Sequence, residues 1–180
     1  MGLAAPSLKG KALLWLAQRE HSRAELQDKL LRYTSAGQRK ALVGIDDPAG
    51  EAEPTTYGQT LEESQARTHI TQVLDDLAAA GLQSDTRAAQ SVARSKGSRY
   101  GVHRLKQQLQ AKGLAPELVA CTLSEARETE FDRALEIWRR RYGEPAQNLD
   151  QRARQVRFLT ARGFDNDVVR RVVRGAADDE

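Results

Sequence analysis

The sequence has little cysteine and few aromatic residues. Cys121 is the one cysteine among 180 residues, so the chain cannot form an internal disulfide or a cysteine zinc cluster, which fits a reducing cytoplasm. Aromatic residues make up only 5% of the chain. A core must therefore come mostly from Leu, Val and Ala on amphipathic helices, and a large β-sandwich is not expected.

Long hydrophobic runs are also missing. The longest apolar run covers residues 12–17, and this is far too short to cross a bilayer. The N-terminus lacks a basic segment followed by a sustained apolar one, as a leader peptide would have. We therefore expect a soluble protein that stays in the cytoplasm and is not associated with a membrane.

Residue patterns typical of catalysis are absent. The three histidines, His21, His69 and His103, are far apart in the sequence, and no H-E-x-x-H or paired cysteine accompanies them. No G-x-x-x-x-G-K-[ST] phosphate loop is present either. The sequence predicts no metal site, no cofactor and no enzymatic activity.

Charge is unevenly distributed along the chain. The 28 basic and 25 acidic residues give a net charge of only +3. However, residues 46–63 contain six acidic side chains and no basic one, whereas residues 87–112 contain seven basic and no acidic ones. Residues 133–174 add eleven basic against five acidic residues. The middle and C-terminal parts could thus each present a positive surface to nucleic acid or to an acidic protein.

Apolar residues recur at helical spacing throughout the chain, and no segment requires a β-strand. We predict nine helices, over residues 9–20, 22–34, 64–80, 84–96, 101–112, 116–126, 128–142, 148–162 and 165–174. The sequence Ser22 to Glu25 is a capping box that begins the second helix, and Gly81 ends the third. Gly37 is expected to end the second helix, and the polar, acidic residues 41–63 to form a loop or insertion.

The positions of residues on a helical wheel predict which side chains are buried. Trp15 and Trp138 are expected in the core, and Cys121 is expected to be a small buried residue. In the eighth helix, Leu149 is expected on the apolar face together with Leu159.

An internal repeat organises the helices. Residues 112–119 match residues 162–169 at an offset of 50, each reading basic residue, Gly, hydrophobe, cap, acidic residue and apolar pair. The fold predicted from this pattern is all-α, with three tandem three-helix repeats that form an elongated, curved molecule. The expected limits are 1–82, with an acidic insertion at about 36–65, then 83–126, and 127–180 with an acidic C-terminal tail.

Three segments of the chain are similar to those of a known family, namely residues 12–30 (ALLWLAQREHSRAELQDKL), 99–113 (RYGVHRLKQQLQAKG) and 156–173 (VRFLTARGFDNDVVRRVV). In this order they resemble the bacterial regulatory protein RecX family, which modulates the RecA recombinase. The chain departs from the family at Ala88, where a large aromatic residue is usual, and in its longer acidic insertion. The resemblance implies a cytoplasmic protein that binds in the helical groove of the RecA filament on DNA. It also implies restraint of the ATPase, strand-exchange and co-protease activities of RecA.

Basic side chains on the outer faces of the middle and C-terminal helices are the candidate contacts for a partner. Arginine can bind carboxylate or phosphate through two parallel hydrogen bonds. The candidate residues are Arg94, Lys96, Arg99, Arg104, Lys106, Lys112, Arg139, Arg140, Arg141, Arg152 and Arg154. The predicted partner is RecA in its filament form, bound by a monomer. DNA is a second candidate, contacted within the filament or weakly on its own.

Other interpretations of the same residues stay open. The basic faces could be ordinary solvated helix surfaces, and Tyr100 could either pack at a helix boundary or stack on a base. The capping box at Ser22 also permits a helix-turn-helix DNA reader. The main alternative function is nonspecific nucleic-acid binding through phosphate contacts, which would be strongly salt-dependent.

Overall fold

The computed structural model describes the backbone of residues 7–43 and 56–178, and the side-chain surroundings of residues 7–35 and 64–175. The described residues contain α-helices and no β-strand. The helices are α1 (Leu8–Leu16), α2 (Arg23–Val43), α3 (Thr56–Ala79), α4 (Asp85–Gly97), α5 (Val102–Ala111), α6 (Pro116–Glu128), α7 (Glu130–Arg141), α8 (Leu149–Ala161) and α9 (Asn166–Asp178). The chain divides into two compact units, Met1–Asp85 and Thr86–Glu180.

The first unit is built from α1, α2 and α3. Its buried cluster consists of Ala12, Leu26, Leu30, Ile70, Val73, Leu74 and Leu77, with Trp15 partly buried against it. The predicted capping box begins α2, since the Glu25 amide donates to the Ser22 hydroxyl and the Ser22 amide donates to the Glu25 carboxylate, each at 3.1 Å. These reciprocal bonds satisfy two backbone donors that the helix start would otherwise leave open.

Two predictions for this unit were wrong in part. The second helix does not end near Gly37 but continues to Val43, and α3 begins at Thr56 rather than at residue 64. A glycine inside a helix costs only about 1 kcal/mol relative to alanine, which a long helix can tolerate. Part of the expected loop at 41–63 is therefore helical, and its remaining residues, 44–55, lie outside the described part of the chain.

The second unit contains two successive three-helix repeats. Helices α4 to α6 enclose one buried cluster, formed by Ala89, Val92, Val102, Leu105, Leu109, Leu114, Val119 and Leu123. Helices α7 to α9 enclose another, formed by Ala134, Ile137, Trp138, Leu159, Phe164, Val169, Val172 and Val173. The predicted fold of three-helix repeats is thus confirmed, whereas the exact limits expected for each repeat stay a prediction.

The repeated glycines end their helices as the sequence predicts. Gly113 and Gly163 both have positive φ, 65° and 77°. After α8, the Phe164 amide donates to the Leu159 carbonyl at 3.4 Å and the Gly163 amide to the Thr160 carbonyl at 2.9 Å. This pair of bonds is the Schellman arrangement, which satisfies the last carbonyls of a helix.

The expected burial of Trp138 is confirmed, whereas the expectations for Cys121 and Leu149 were wrong. Trp138 is buried, and its indole N–H donates to Gln155 Oε1 at 3.0 Å. Cys121 is exposed, because α6 turns Val119, Thr122 and Leu123 toward the core and leaves the cysteine on the outer side. Leu149 is 83% exposed and does not belong to the apolar face of α8.

Candidate partner-binding surface

The two repeats of the second unit meet where two glycines bring their backbones into contact. At Gly101, which precedes α5, an added Cβ would lie 2.3 Å from the carbonyl oxygen of Gly163. The Gly101 amide donates to the Arg162 carbonyl, and the His103 amide to the Gly163 carbonyl, both at 3.0 Å. The carbonyl groups that end α8 therefore accept hydrogen bonds from the amides that begin α5, which satisfies orphan groups of both helices.

A buried carboxylate reinforces this junction. Glu130, the first residue of α7, is only 2% exposed. Its Oε1 accepts hydrogen bonds from the Val102 amide at 2.9 Å and from the Asp165 amide at 3.2 Å. One oxygen thus binds the starts of both α5 and α9, where the positive ends of the helix dipoles favour a negative charge.

Arg133, on α7, donates hydrogen bonds to carbonyl groups of the second repeat, whereas Glu130 accepts them from amides. Its guanidinium donates to the carbonyl groups of Gly97 at 2.5 Å, Tyr100 at 2.8 Å and Ala126 at 2.6 Å. Burial lowers the pKa of Arg133, against the opposing effect of the nearby Glu130 charge. The guanidinium therefore serves as a fixed positive group for the carbonyl groups near the ends of α4 and α6.

A groove opens beside this junction, and we call it the junction groove. It consists of two adjoining cavities of about 400 and 550 Å³ that share Ile137, Arg140 and Arg162. The remaining lining residues are Ser98, Arg99, Tyr100, Arg104, Ala161, Arg141 and Phe158. Five arginines from both repeats line this groove, and none of its lining residues is acidic.

Two of the arginines lie over aromatic rings. The Arg104 guanidinium lies 4.6 Å from the centre of the Tyr100 ring, and that of Arg162 lies 3.8 Å from the centre of the Phe158 ring. Each guanidinium also reaches a carbonyl at 3.4 Å, Ala161 for Arg104 and Phe158 for Arg162. Cation–π contact and these weak hydrogen bonds restrict the planes of both groups.

The structure brings together some of the predicted contact residues and separates others. Arg99, Arg104, Arg140 and Arg141 line the junction groove. Arg154 lines a different cavity of about 380 Å³, formed around the connection between α7 and α8. The other predicted residues lie on their own helices, where Arg94, Lys96, Lys106, Arg139 and Arg152 are exposed and Lys112 is half-buried.

Sequence reasoning did not select Arg162 or Phe158 for this surface. One signal for them is present, since Tyr100 and Arg104 are four residues apart, and so are Phe158 and Arg162. Phe158 and Arg162 lie on α8 and its C-cap, where side chains at that spacing share a helix face and can contact each other. Tyr100 lies just before α5, so its contact with Arg104 does not follow from helical spacing. Glu130 was missed too, because its two partners lie 28 and 35 residues away and no local pattern connects them.

Metal-binding clusters and membrane-spanning helices are absent from the part of the chain that the structure describes. These residues contain no group of three or more His, Cys, Asp or Glu side chains that could hold a metal ion. Their helices include none that is long and apolar enough to cross a membrane. The closest histidine–carboxylate pair at the junction, His103 Nε2 and Asp165 Oδ2 at 3.4 Å, is exposed.

The fold defines a class, that of all-α proteins built from three-helix repeats. Residues 84–123 match the second three-helix domain of RecX, and residues 128–173 match the third. The regulatory protein RecX of Leptothrix cholodnii is 41% identical over 93% of this chain and 88% of its own length. That of Ralstonia nicotianae is 35% identical over 94% of this chain and 88% of its own. The chain therefore belongs to the RecX family of regulatory proteins.

Solved structures support the same fold. The crystal structure of RecX from Lactobacillus salivarius has a TM-score of 0.65 at 16% identity, and the match covers 94% of each chain. A second crystal structure of a regulatory protein RecX has a TM-score of 0.55 at 18% identity, covering 96% of this chain and 72% of the other. At such low identity these similarities concern the fold alone.

Proposed function

We propose that this protein acts in the cytoplasm as a monomer that regulates the RecA recombinase by binding the RecA filament on DNA. Membership of the RecX family is the observation that carries the proposal. The resemblance described above implies binding in the helical groove of the filament, with restraint of ATP hydrolysis, strand exchange and co-protease activity. The protein itself performs no catalysis in this scheme.

The basic residues predicted from the sequence are the proposed contacts, and the junction groove is their centre. Arg99 lies between α4 and α5, Arg104 lies on α5, and Arg140 and Arg141 lie on α7, and all four line one groove. A groove of one sign of charge attracts an anionic surface and speeds its association. The remaining predicted residues would add contacts around it, and none of these roles depends on a metal or cofactor.

The test is RecA-dependent ATP hydrolysis on single-stranded DNA, measured with increasing amounts of this protein. We expect hydrolysis to fall as the protein approaches the amount of RecA. The double variant Arg104→Glu with Arg140→Glu should weaken this inhibition by at least about tenfold, because two groove charges are reversed. The matched control reverses Arg127 and Arg174, which are exposed and lie outside the groove. Undiminished hydrolysis at an excess of the wild-type protein would refute the proposal.

A second candidate function is nonspecific binding of nucleic acid through phosphates. The acid-free basic run over residues 87–112 favours it. This function requires binding to bare single-stranded DNA without RecA, with an affinity that falls steeply as salt rises. If the bare DNA binds only weakly at physiological salt while the filament still binds, regulation of RecA through protein contacts is favoured.

A further inference from the structure

We infer that the junction groove recognises an acidic protein segment with an apolar side chain between its carboxylates, rather than a phosphate backbone. This inference rests on the proposed function, since it names the chemistry by which the protein partner would be held. It specifies Arg104 and Arg162 as the two groups that receive the carboxylates. Family membership does not assign such a site, and the sequence pattern indicated Arg104 but neither Arg162 nor the apolar part of the groove.

The first argument is the way the two arginines are held. A free arginine side chain loses conformational entropy when it is immobilised in a complex. Arg104 and Arg162 are already held over Tyr100 and Phe158, at 4.6 and 3.8 Å from the ring centres. A guanidinium in a fixed plane can accept a carboxylate through two parallel hydrogen bonds, and that geometry distinguishes arginine from lysine.

The second argument is the apolar part of the groove. Ile137 belongs to the buried cluster of the third repeat, yet it lines both cavities and is 9% exposed. Phe158 lies beside it in one of those cavities. A surface that combines arginine and aromatic side chains around a small apolar floor is typical of protein–protein contacts. The phosphate groups of a nucleic acid have no apolar surface to place on such a floor.

The third argument is that the ring faces of the groove are already covered by arginine side chains. Sites for single-stranded nucleic acid usually offer open ring faces on which bases stack. Here the guanidinium groups of Arg104 and Arg162 already lie over the two rings of the groove, and Tyr142 packs edge-on against Phe158 with ring centres 5.3 Å apart. The groove therefore offers its arginine edges rather than its ring faces to a ligand.

The groove also has no acidic lining residue that could neutralise its arginines. Among its lining residues, Arg140 has an ion pair, with Glu136 on the same helix at 3.3 Å, and both side chains are about two-thirds exposed. Pairs that are exposed to this extent contribute little and exchange readily with other anions. A carboxylate from a partner can therefore enter without first displacing a buried salt bridge.

The inference can be tested on the purified chain without RecA. The probes are the capped peptide Glu-Glu-Leu-Glu-Glu, its Leu-to-Ser counterpart, and a short oligothymidylate, each followed through the arginine side-chain NMR signals. We expect the leucine peptide to shift the Arg104 and Arg162 signals with a Kd below about 1 mM, as a few charge-assisted contacts would produce. The serine peptide should bind more weakly, and the oligothymidylate should leave these two signals less affected. Preference for the oligothymidylate, or no binding of the leucine peptide, overturns the inference.

The second experiment uses the filament and substitutes lysine for arginine. The double variant Arg104→Lys with Arg162→Lys keeps both charges but loses the flat, forked donor. We expect its affinity for the RecA filament to fall about tenfold, whereas Arg127→Lys with Arg174→Lys should match the wild type. Equal affinity of the groove variant and the wild type overturns the inference but leaves RecA regulation intact. Failure of the wild-type chain to bind the filament refutes the proposed function, and the peptide experiment then decides the groove chemistry by itself.

Discussion

Replacement of Gly163 by alanine is the sharpest available test of the backbone contact between the two repeats. Gly163 has a φ of 77°, which alanine adopts at a cost of about 1 kcal/mol. An added Cβ would also lie 2.6 Å from the backbone nitrogen of Arg104 and 2.7 Å from its Cβ. Because these atoms belong to a helix and cannot rotate away, we assign about 2 kcal/mol more to their displacement. The expected total loss of stability is about 3 kcal/mol.

Gly143 supplies the matched control in the same repeat. Its φ is 72°, and an added Cβ would make only an ordinary contact, 3.6 Å from the Arg139 carbonyl oxygen. Gly143→Ala should therefore cost about 1 kcal/mol, the cost of the backbone conformation alone. The two free energies of unfolding can be measured by urea titration in a Trp15→Phe background, so that the fluorescence of buried Trp138 reports on this repeat. Equal losses for the two variants would refute the close approach of Gly163 to α5.

Three further predictions concern single residues. Glu130→Ala leaves the Val102 and Asp165 amides without their acceptor and should cost about 3 kcal/mol in urea unfolding, whereas Glu130→Gln should cost less. A cost of Glu130→Ala below about 1 kcal/mol would contradict the shared acceptor. Cys121 should react with a thiol reagent in the native protein as fast as a free thiol does, and protection until unfolding would show that it is buried. Ser22→Ala removes one half of the capping box and should lower thermal stability by about 1 kcal/mol, while an unchanged melting temperature would contradict the hydrogen bond to the Glu25 amide.

Local signals in the sequence predicted most of the helices. The start of α2 follows from the spacing of Ser22 and Glu25, and the end of α8 follows from Gly163, because each signal acts within one turn of backbone. Gly37 misled the prediction for α2, since a glycine near the end of an apolar pattern does not by itself end a helix. Whether a glycine ends a helix also depends on the tertiary contacts of the turns that follow it. A local sequence pattern does not reveal those contacts.

The junction groove was only partly predictable. The basic faces that contain Arg104 and Arg140 follow from helical periodicity, but their convergence on one groove depends on the junction of two repeats. That junction rests on contacts such as Gly101 with Arg162 and Glu130 with Asp165, between residues far apart in the sequence. Cys121 and Leu149 show the same limit, because helical periodicity alone does not tell which side of α6 faces the core or whether the first residue of α8 reaches it.

The hydrogen bonds between the end of α8 and the start of α5 also have a consequence for the order of folding during synthesis. The amides of Gly101 and His103 have their acceptors at Arg162 and Gly163, about sixty residues later in the chain. Until those residues leave the ribosome, these two amides can be satisfied only by water. The second repeat is thus translated before these two acceptors exist, and it reaches its final stability only when the third repeat folds against it.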